Sequence, residues 1–136
     1  MNELKFNSQI CTSAEQSKRL LELGLKPETA DMELIYNIFS NTYEPLPKAF
    51  PSANKCEIPA WSLHRLIEMC NNSHFSISLY YNEVSVNGDL FEVYDGTFDN
   101  LVSVIEWLIK NRYINKKYLK QLKERIDISK NPIKSL

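Results

Sequence analysis

The stretch that decides the fold reads FSISLYYNEVSVNGDLFEVY and covers residues 75–94. From 75 to 86 its apolar and polar side chains largely alternate, which is the period of a strand with one face against a core. Asn87-Gly88 then gives the strongest short hairpin signal, because both residues tolerate the positive φ angles of a type I′ turn. We predict two or three antiparallel strands with a hairpin tip at Asn87-Gly88. Such a small sheet needs a helix packed on one face to be stable.

Residues 99–110 supply that helix. Their polar members, Ser103, Glu106 and Lys110, lie on one narrow arc, and apolar side chains fill the rest of the circumference. We therefore expect this helix to be the most deeply buried one. Asn111 follows it as a candidate left-handed C-cap.

An earlier helix is predicted near the N-terminus. Thr12 and Glu15 have the spacing of a capping box, and Gly24 is a typical helix stop. Residues 28–39 fit two periods, since their apolar side chains alternate as in a strand and also recur at helical spacing. We favour a helix over 28–39, because the Pro-Glu-Thr sequence from residue 27 resembles a helix start.

Residues 40–59 show neither period and are rich in proline. We predict a proline-rich loop laid across a surface that it covers, because a loop of this length is unusual in a compact domain unless it has such a role. Recognition as a polyproline ligand is disfavoured, since the segment has no P-x-x-P. The prolines are Pro45, Pro47, Pro51 and Pro59.

A further helix is predicted from Pro59 to Cys70, with leucine and isoleucine side chains on its core face. Its opposite face carries a large aromatic side chain among charged ones, an arrangement typical of an interface anchor. This first part of the candidate interaction surface consists of Trp61, His64, Arg65 and Glu68. The alternative, favoured by the apolar side chains of the 40–59 loop, is that this loop folds back and buries Trp61 within the same molecule.

The net charge of -1 conceals a split along the chain. Residues 1–109 hold 7 Lys and Arg against 15 Asp and Glu, whereas residues 110–136 hold 9 Lys and Arg against 2 Asp and Glu. We predict a fourth helix, capped by Asn115, that carries this excess on one side. Its basic stripe, the second part of the candidate interaction surface, consists of Lys116, Lys120 and Lys123. Beyond about residue 129 the tail is expected to fray.

Three interpretations of the basic stripe remain open. A solvated helix face is favoured, since any docked surface helix needs one. Contact with nucleic-acid phosphates, with Tyr113 and Tyr118 stacking on bases, is the second. An acidic protein partner, including a second copy of the chain, is the third.

Composition and motifs argue against an enzyme. Only 3 Gly are present, and neither a glycine-rich phosphate loop nor a nucleophile elbow is found. Cys11, Cys56 and Cys70 form no C-x-x-C pair and are interpreted as reduced thiols. A metal site at His64, Cys70 and His74 is disfavoured because the two helical side chains point to opposite faces. A Cys70 nucleophile is disfavoured because the C-terminal end of a helix raises a thiol pKa. We predict neither cofactor nor metal.

The N-terminal residues lack the apolar segment of an export signal. No apolar run approaches the roughly 20 residues that a membrane-spanning helix needs. The sequence therefore predicts a cytoplasmic protein that neither spans nor binds a membrane.

Three segments in this order and spacing carry a resemblance: EQSKRLLELGL at 15–25, IPAWSL at 58–63 and IEWLIKN at 105–111. Together they resemble a group of small uncharacterised bacterial proteins that are often encoded in prophage-like or mobile elements. The resemblance spans most of the chain apart from the proline-rich loop and the hairpin. It implies a bacterial accessory protein on a small α+β domain, and it implies no activity.

The sequence thus predicts one α+β domain over residues 1–136, with a small antiparallel sheet packed by three to four helices. The expected function is that of a non-enzymatic interaction or accessory protein in the cytoplasm, with another protein or a second copy as partner. The alternative is a nucleic-acid-binding protein that uses the basic C-terminal helix.

Overall fold

The structure, a computed structural model, describes residues 9–48, 58–80, 83–93 and 96–120. The described residues form helices α1 (Ala14–Glu22), α2 (Leu63–Asn72) and α3 (Thr97–Lys110). The strands are β1 (Met32–Asn37), β2 (Thr42–Pro47), β3 (Ile58–Ala60), β4 (Ile77–Tyr80), β5 (Glu83–Val86) and β6 (Asp89–Val93). Short 3-10 helices cover Pro27–Thr29 and Lys116–Tyr118. The predicted α+β class is confirmed.

The strands form two sheets, whereas a single sheet was predicted. The first sheet has the order β2-β1-β3 and the second the order β4-β5-β6, and every pairing is antiparallel. The prediction of a single sheet is wrong. It assigned residues 28–39 to a helix and 40–59 to a loop, whereas these residues form β1, β2 and most of β3.

Helix α3 packs on the second sheet and on the other two helices. It contacts β5 and β6 as well as α1 and α2. Its extent matches the predicted 99–110, with a start at Thr97. The prediction that it is the most buried helix agrees with its share of the main core, to which it contributes Phe98, Leu101, Val102, Val104, Ile105 and Leu108.

The C-terminal end of α3 corrects one local prediction. Asn111 is the C-cap, but its φ of -97° is not left-handed. The left-handed residue is Arg112, at φ 64°. The N–H of Tyr113 donates to the Leu108 carbonyl (2.8 Å) and that of Arg112 to the Ile109 carbonyl (3.1 Å), which together form a Schellman motif. The turn therefore comes one residue later than predicted.

The second sheet confirms the hairpin at Asn87-Gly88. Asn87 (φ 52°) and Gly88 (φ 91°) join β5 to β6 as a type I′ turn. Asn87 also holds the chain beside β4, because its Oδ1 accepts the N–H of Ser76 and its own N–H donates to the Ser76 carbonyl, each at 2.8 Å. Of the predicted two or three strands, the structure has three.

The prediction of a helix over 28–39 is wrong. The Pro-Glu-Thr sequence makes only the 3-10 helix Pro27–Thr29, and β1 follows it. The strand is favoured because it places Leu34 in a second small core with Cys11, Ile58 and Ala60. A helix over the same residues could not pair on both sides with β2 and β3.

The proline-rich segment 40–59 includes two strands. Residues 42–47 form β2, which is exposed along its whole length, and residues 58–60 form β3. Residues 49–57 lie outside the described residues. A continuous loop over 40–59 is therefore wrong.

The prolines of β2 alter the outer edge of the first sheet. The N–H of Lys48 donates to the Asp31 carbonyl (3.1 Å), and N–H groups point alternately to the two sides of a strand. The N–H positions at 43, 45 and 47 therefore face away from β1. Pro45 and Pro47 have no N–H, so this edge lacks most of the donors that an added strand needs.

The start of α1 differs from the predicted capping box by one residue. Ser13 caps the helix, its Oγ accepting the N–H of Gln16 (3.1 Å) while Gln16 Oε1 accepts the N–H of Ser13 (2.9 Å). Thr12 is instead buried, and its Oγ1 lies 2.7 Å from Ser17 Oγ. Gly24, at φ 110°, ends the helix as predicted.

The predicted fourth helix is wrong where the structure describes it. Asn115 does act as a cap, since its Oδ1 accepts the N–H of Lys117 (3.0 Å), but the element is the 3-10 helix Lys116–Tyr118. Leu119 is extended and pairs with Leu25. This pairing, with the Lys26 N–H on the Tyr118 carbonyl (2.9 Å), holds the segment out of helical geometry. Lys123 and the tail from about 129, which was predicted to fray, lie outside the described residues.

We expect Gly88→Ala to lower the free energy of unfolding by about 1 kcal/mol, because a Cβ is strained at φ +91° although nothing lies within 4 Å of it. Gly96→Ser is the matched control. Gly96 also has nothing within 4 Å, but its φ of 176° is extended and serine is a favourable N-cap, so no loss is expected. Urea unfolding of both variants tests this. Equal destabilisation by the two changes contradicts the turn geometry.

Candidate functional site

The β1–β2 hairpin exposes apolar side chains at its tip. Ile38 is 71% exposed and Phe39 94% exposed, although side chains of this kind are usually at least partly buried. Tyr36, Tyr43 and Leu46 on the two strands are exposed as well. We call Ile38 and Phe39 together the hairpin tip.

The hairpin tip is held by contacts within the hairpin itself. The rings of Tyr36 and Tyr43 pack edge to face with centroids 5.2 Å apart. Tyr36 donates its hydroxyl to Asn41 Oδ1 (3.0 Å), and Asn37 Oδ1 accepts the N–H of Phe39 (2.8 Å). These bonds fix the turn, so that Phe39 is presented on an ordered scaffold.

The exposed charge of the hairpin is acidic. Strands β1 and β2 hold Glu33 and Glu44 and neither lysine nor arginine. Glu33 is buried, whereas Glu44 is exposed and accepts a hydrogen bond from Asn37 Nδ2 (2.9 Å). Glu28 and Asp31 precede the hairpin, and Asp31 accepts from the N–H and hydroxyl of Ser62. The Glu44 carboxylate gives the hairpin an electrostatic preference for a basic partner surface.

Trp61, the first predicted contact residue, is not on the surface. It is 0% exposed and belongs to the main core. Its N–H donates to Thr12 Oγ1 (3.0 Å) and its indole Nε1 to Thr29 Oγ1 (3.1 Å). The outward orientation was predicted from a helix that begins at Pro59. The helix instead begins after the Ser62 cap, so the helical spacing does not extend to Trp61.

Arg65 and Glu68 do lie together on α2, as predicted. Arg65 Nη1 is 2.9 Å from Glu68 Oε1. This pair borders an open cleft of about 270 Å³. His64 is exposed next to Arg65 in the sequence but does not line the cleft. The cleft is lined by Glu28, Thr29, Arg65, Glu68, Asn72, Lys117 and Tyr118.

The cleft is polar and its formal charges balance. Asn72 Nδ2 donates to the Tyr118 hydroxyl (2.6 Å), and the Lys117 ammonium lies 5.3 Å from the centre of the Tyr118 ring. The bond between Asn72 and Tyr118 connects α2 to the 3-10 helix Lys116–Tyr118. The residues that line the cleft therefore hold the C-terminal part of the described chain against α2.

A third surface combines aromatic and basic residues. Trp107 on α3 packs with the rings of Phe75, Phe91 and Tyr113 at centroid distances of 5.7, 5.5 and 5.3 Å. Phe91 lies where the β5–β6 register shifts, and Tyr113 is 50% exposed. We call these four residues the aromatic cluster.

Basic residues follow the aromatic cluster in the chain. Asn115 anchors this segment beside α2, because its N–H donates to Ser73 Oγ (2.8 Å) and its Nδ2 to the Asn72 carbonyl (3.1 Å). Residues 107–120 contain five cations and no acid. They are Lys110, Arg112, Lys116, Lys117 and Lys120, all exposed. The predicted stripe residues Lys116 and Lys120 thus lie on this basic segment, but they do not share an α-helix, because Lys116 begins the 3-10 helix and Lys120 follows it.

The described cysteines are not suited to nucleophilic chemistry. Cys11 and Cys70 are both free and buried. Burial raises the pKa of Cys70 to about 12, and burial together with the negative charge of Asp31 raises that of Cys11 to about 11. Both are therefore thiols, not thiolates, near neutral pH. Cys56 lies outside the described residues.

The part of the chain that the structure describes contains neither a cluster of metal-binding side chains nor a membrane-spanning helix. In ranges 9–48, 58–80, 83–93 and 96–120, no three His, Cys, Asp or Glu side chains come together as metal ligands. None of the three helices is both long and apolar enough to cross a membrane.

The hairpin tip was missed by the sequence interpretation. The side chains of Met32, Leu34, Tyr36 and Ile38 alternate as in a strand, but the same segment also fits the helical spacing that favours a helix. Ser40-Asn41 follows this alternation, and both residues favour a turn. That signal indicates a turn close to Phe39 but does not fix the register of the two strands.

Comparison with protein-family models, with curated proteins and with solved structures finds no match to this chain. The resemblance to small bacterial proteins of mobile elements therefore stays a prediction.

The raised pKa of Cys70 predicts a pH dependence of stability. Above about pH 9 this thiol ionises in the unfolded chain but stays protonated in the folded one, up to about pH 12. The unfolded state then binds fewer protons, so the free energy of unfolding falls as pH rises, by up to about 1.4 kcal/mol per pH unit. Urea unfolding between pH 8 and pH 10.5 measures this.

Cys70→Ala removes that ionisation and should give a shallower fall above pH 9 than the unchanged chain, whatever its stability at pH 7. Comparing the two slopes isolates this thiol, because the two chains share every other titratable group, including Cys11 with its raised pKa. Parallel slopes contradict a protonated, buried Cys70.

Proposed function

We propose that this protein is a non-enzymatic interaction module and that the hairpin tip is its contact element. The observation that supports the proposal most is the 94% exposure of Phe39 on a turn fixed by its own hydrogen bonds. A rigid aromatic side chain has little conformational freedom to lose on binding, which is why such residues anchor interfaces.

The hairpin recognises its partner through side chains. Pro45 and Pro47 remove outward N–H groups from β2, so pairing of another strand on this edge is disfavoured. Ile38 and Phe39 are therefore expected to enter a preformed apolar pocket. The exposed Glu44 carboxylate on the same hairpin favours a pocket with a basic rim.

The proposed setting is a cytoplasmic accessory or regulatory role in a bacterial mobile element. Its support is the resemblance of three segments to proteins of that kind, together with buried, unpaired thiols at Cys11 and Cys70. Both thiols fit a reducing compartment.

A photo-crosslinking phenylalanine analogue at position 39 tests the proposal in the native host cell. We expect a covalent adduct with a protein, because the ring at 39 enters the interface. The matched control carries the same analogue at position 90, where Leu90 is 60% exposed on the second sheet. No adduct is expected there. The proposal fails if position 39 gives no adduct or if both positions give the same ones.

Nucleic-acid binding is a second candidate function. It is favoured by the five cations of residues 107–120, a segment that also contains the half-exposed ring of Tyr113. Such a segment contacts phosphates and stacks on unpaired bases. The acidic residues of 27–47 disfavour a long duplex, so a single strand is the better probe.

A single-stranded oligonucleotide of mixed sequence tests this second candidate by fluorescence anisotropy. Binding through this segment predicts an affinity that falls between about 50 and 200 mM salt, and a shallower salt slope for Lys116→Glu. Absence of binding at low salt rules the candidate out.

A further inference from the structure

We propose that the hairpin tip of one copy docks on the aromatic cluster of a second copy of this chain. The inference rests on the proposed function, since it names the partner of the same hairpin. It makes the contact heterologous, because two different surfaces of the same chain meet.

The hairpin tip needs an apolar receiving surface, and the aromatic cluster provides one. The Trp107 ring packs against Phe75, Phe91 and Tyr113. Phe75 also packs against Tyr113, and all four pairs of ring centroids are 5.3 to 5.7 Å apart. Phe75, Phe91 and Trp107 are only partly buried, and Tyr113 is half exposed. Phe39 can therefore pack edge to face on rings that are already held in place.

The charges of the two surfaces are complementary. The hairpin strands carry the exposed carboxylate of Glu44 and neither lysine nor arginine, and the cluster adjoins a segment with five cations and no acid. Lys110 already pairs with Glu106, at 2.8 Å, and Lys117 lies over the Tyr118 ring in the cleft beside α2. The other three cations, Arg112, Lys116 and Lys120, have exposed side chains that can face the Glu44 carboxylate of a neighbour. Opposite charges around an apolar contact steer its encounter and fix its orientation.

The mode of association follows from the same features. Edge-to-edge sheet pairing through β2 is disfavoured by Pro45 and Pro47, so the contact is made by side chains. A heterologous contact leaves one hairpin tip and one cluster unused in each dimer. Further copies can therefore add, giving a closed ring or an open chain.

Sedimentation velocity at low ionic strength tests self-docking on the full chain. We expect the average mass to rise with protein concentration and to fall at about 1 M salt, where the Debye length is about 3 Å. Phe39→Ser should lower the association constant by about tenfold or more, as for other interface anchors. Leu90→Ser is the matched control, since Leu90 is an apolar residue, 60% exposed, that belongs to neither surface, and the change should leave the constant unchanged.

Mixing two defective variants distinguishes a heterologous contact from a symmetric one. Phe39→Ser lacks the tip but keeps the cluster, and Tyr113→Ser lacks part of the cluster but keeps the tip. Each alone should be monomeric, and the mixture should form a 1:1 dimer that does not grow. Because Tyr113 contacts Phe75 and Trp107, Lys116→Glu serves as a second cluster variant with an exposed, non-core change.

Self-docking is overturned by a chain that stays monomeric at low salt, by association that survives Phe39→Ser, or by variants that fail to complement. The adducts formed from position 39 separate this failure from that of the proposed function. A monomeric chain that crosslinks there to a different protein leaves the proposed function intact. A chain that crosslinks to nothing overturns both.

Discussion

The structure depends on the burial of α3 between the second sheet and the helices α1 and α2. Leu101, Val104, Ile105 and Leu108 have no solvent exposure, and each buried side chain of this size contributes roughly 1.5–3 kcal/mol relative to exposure. The second sheet has only three short strands and could not persist alone. Asn100 is also fully buried, and within the described residues neither atom of its amide has a hydrogen-bond partner. Burying this amide without a hydrogen-bond partner lowers the free energy of unfolding by about 1–3 kcal/mol, which offsets part of the stabilisation from the apolar side chains around it.

The elements that could be predicted are those with a complete local signal. The α3 helix has apolar side chains on most of its circumference, and Asn87-Gly88 has the backbone preferences of one particular turn. The first sheet lacks such a signal. Its central strand β1 is paired on both sides, with β2 after a short turn and with β3 from further along the chain. The residues of β1 by themselves show only a short alternation. Helical spacing over the same residues was an equal local fit, and only the distant pairing decides between the two.

The candidate site was harder to predict than the fold, since exposure depends on where an element begins. Trp61 would face solvent if α2 began at Pro59, but the cap at Ser62 leaves it in an extended segment that enters the core. Arg65 and Glu68 lie within the helix under either start, so their pairing was predictable. Phe39 shows the converse case. Its position at a tip follows from the register of the β1–β2 pair, which a single sequence does not reveal.

The pairing of Leu25 with Leu119 closes the described chain on itself. Two backbone hydrogen bonds accompany it, from Lys26 to Tyr118 (2.9 Å) and from Lys120 to Gly24 (2.8 Å). Nearly the whole described chain lies between these partners, so the contact has a high loop-closure cost and contributes strongly to the contact order. We expect it to form late in folding, after α3 has collapsed onto its sheet. During synthesis the segment that follows α1 would then stay unpaired until residues 118–120 had emerged.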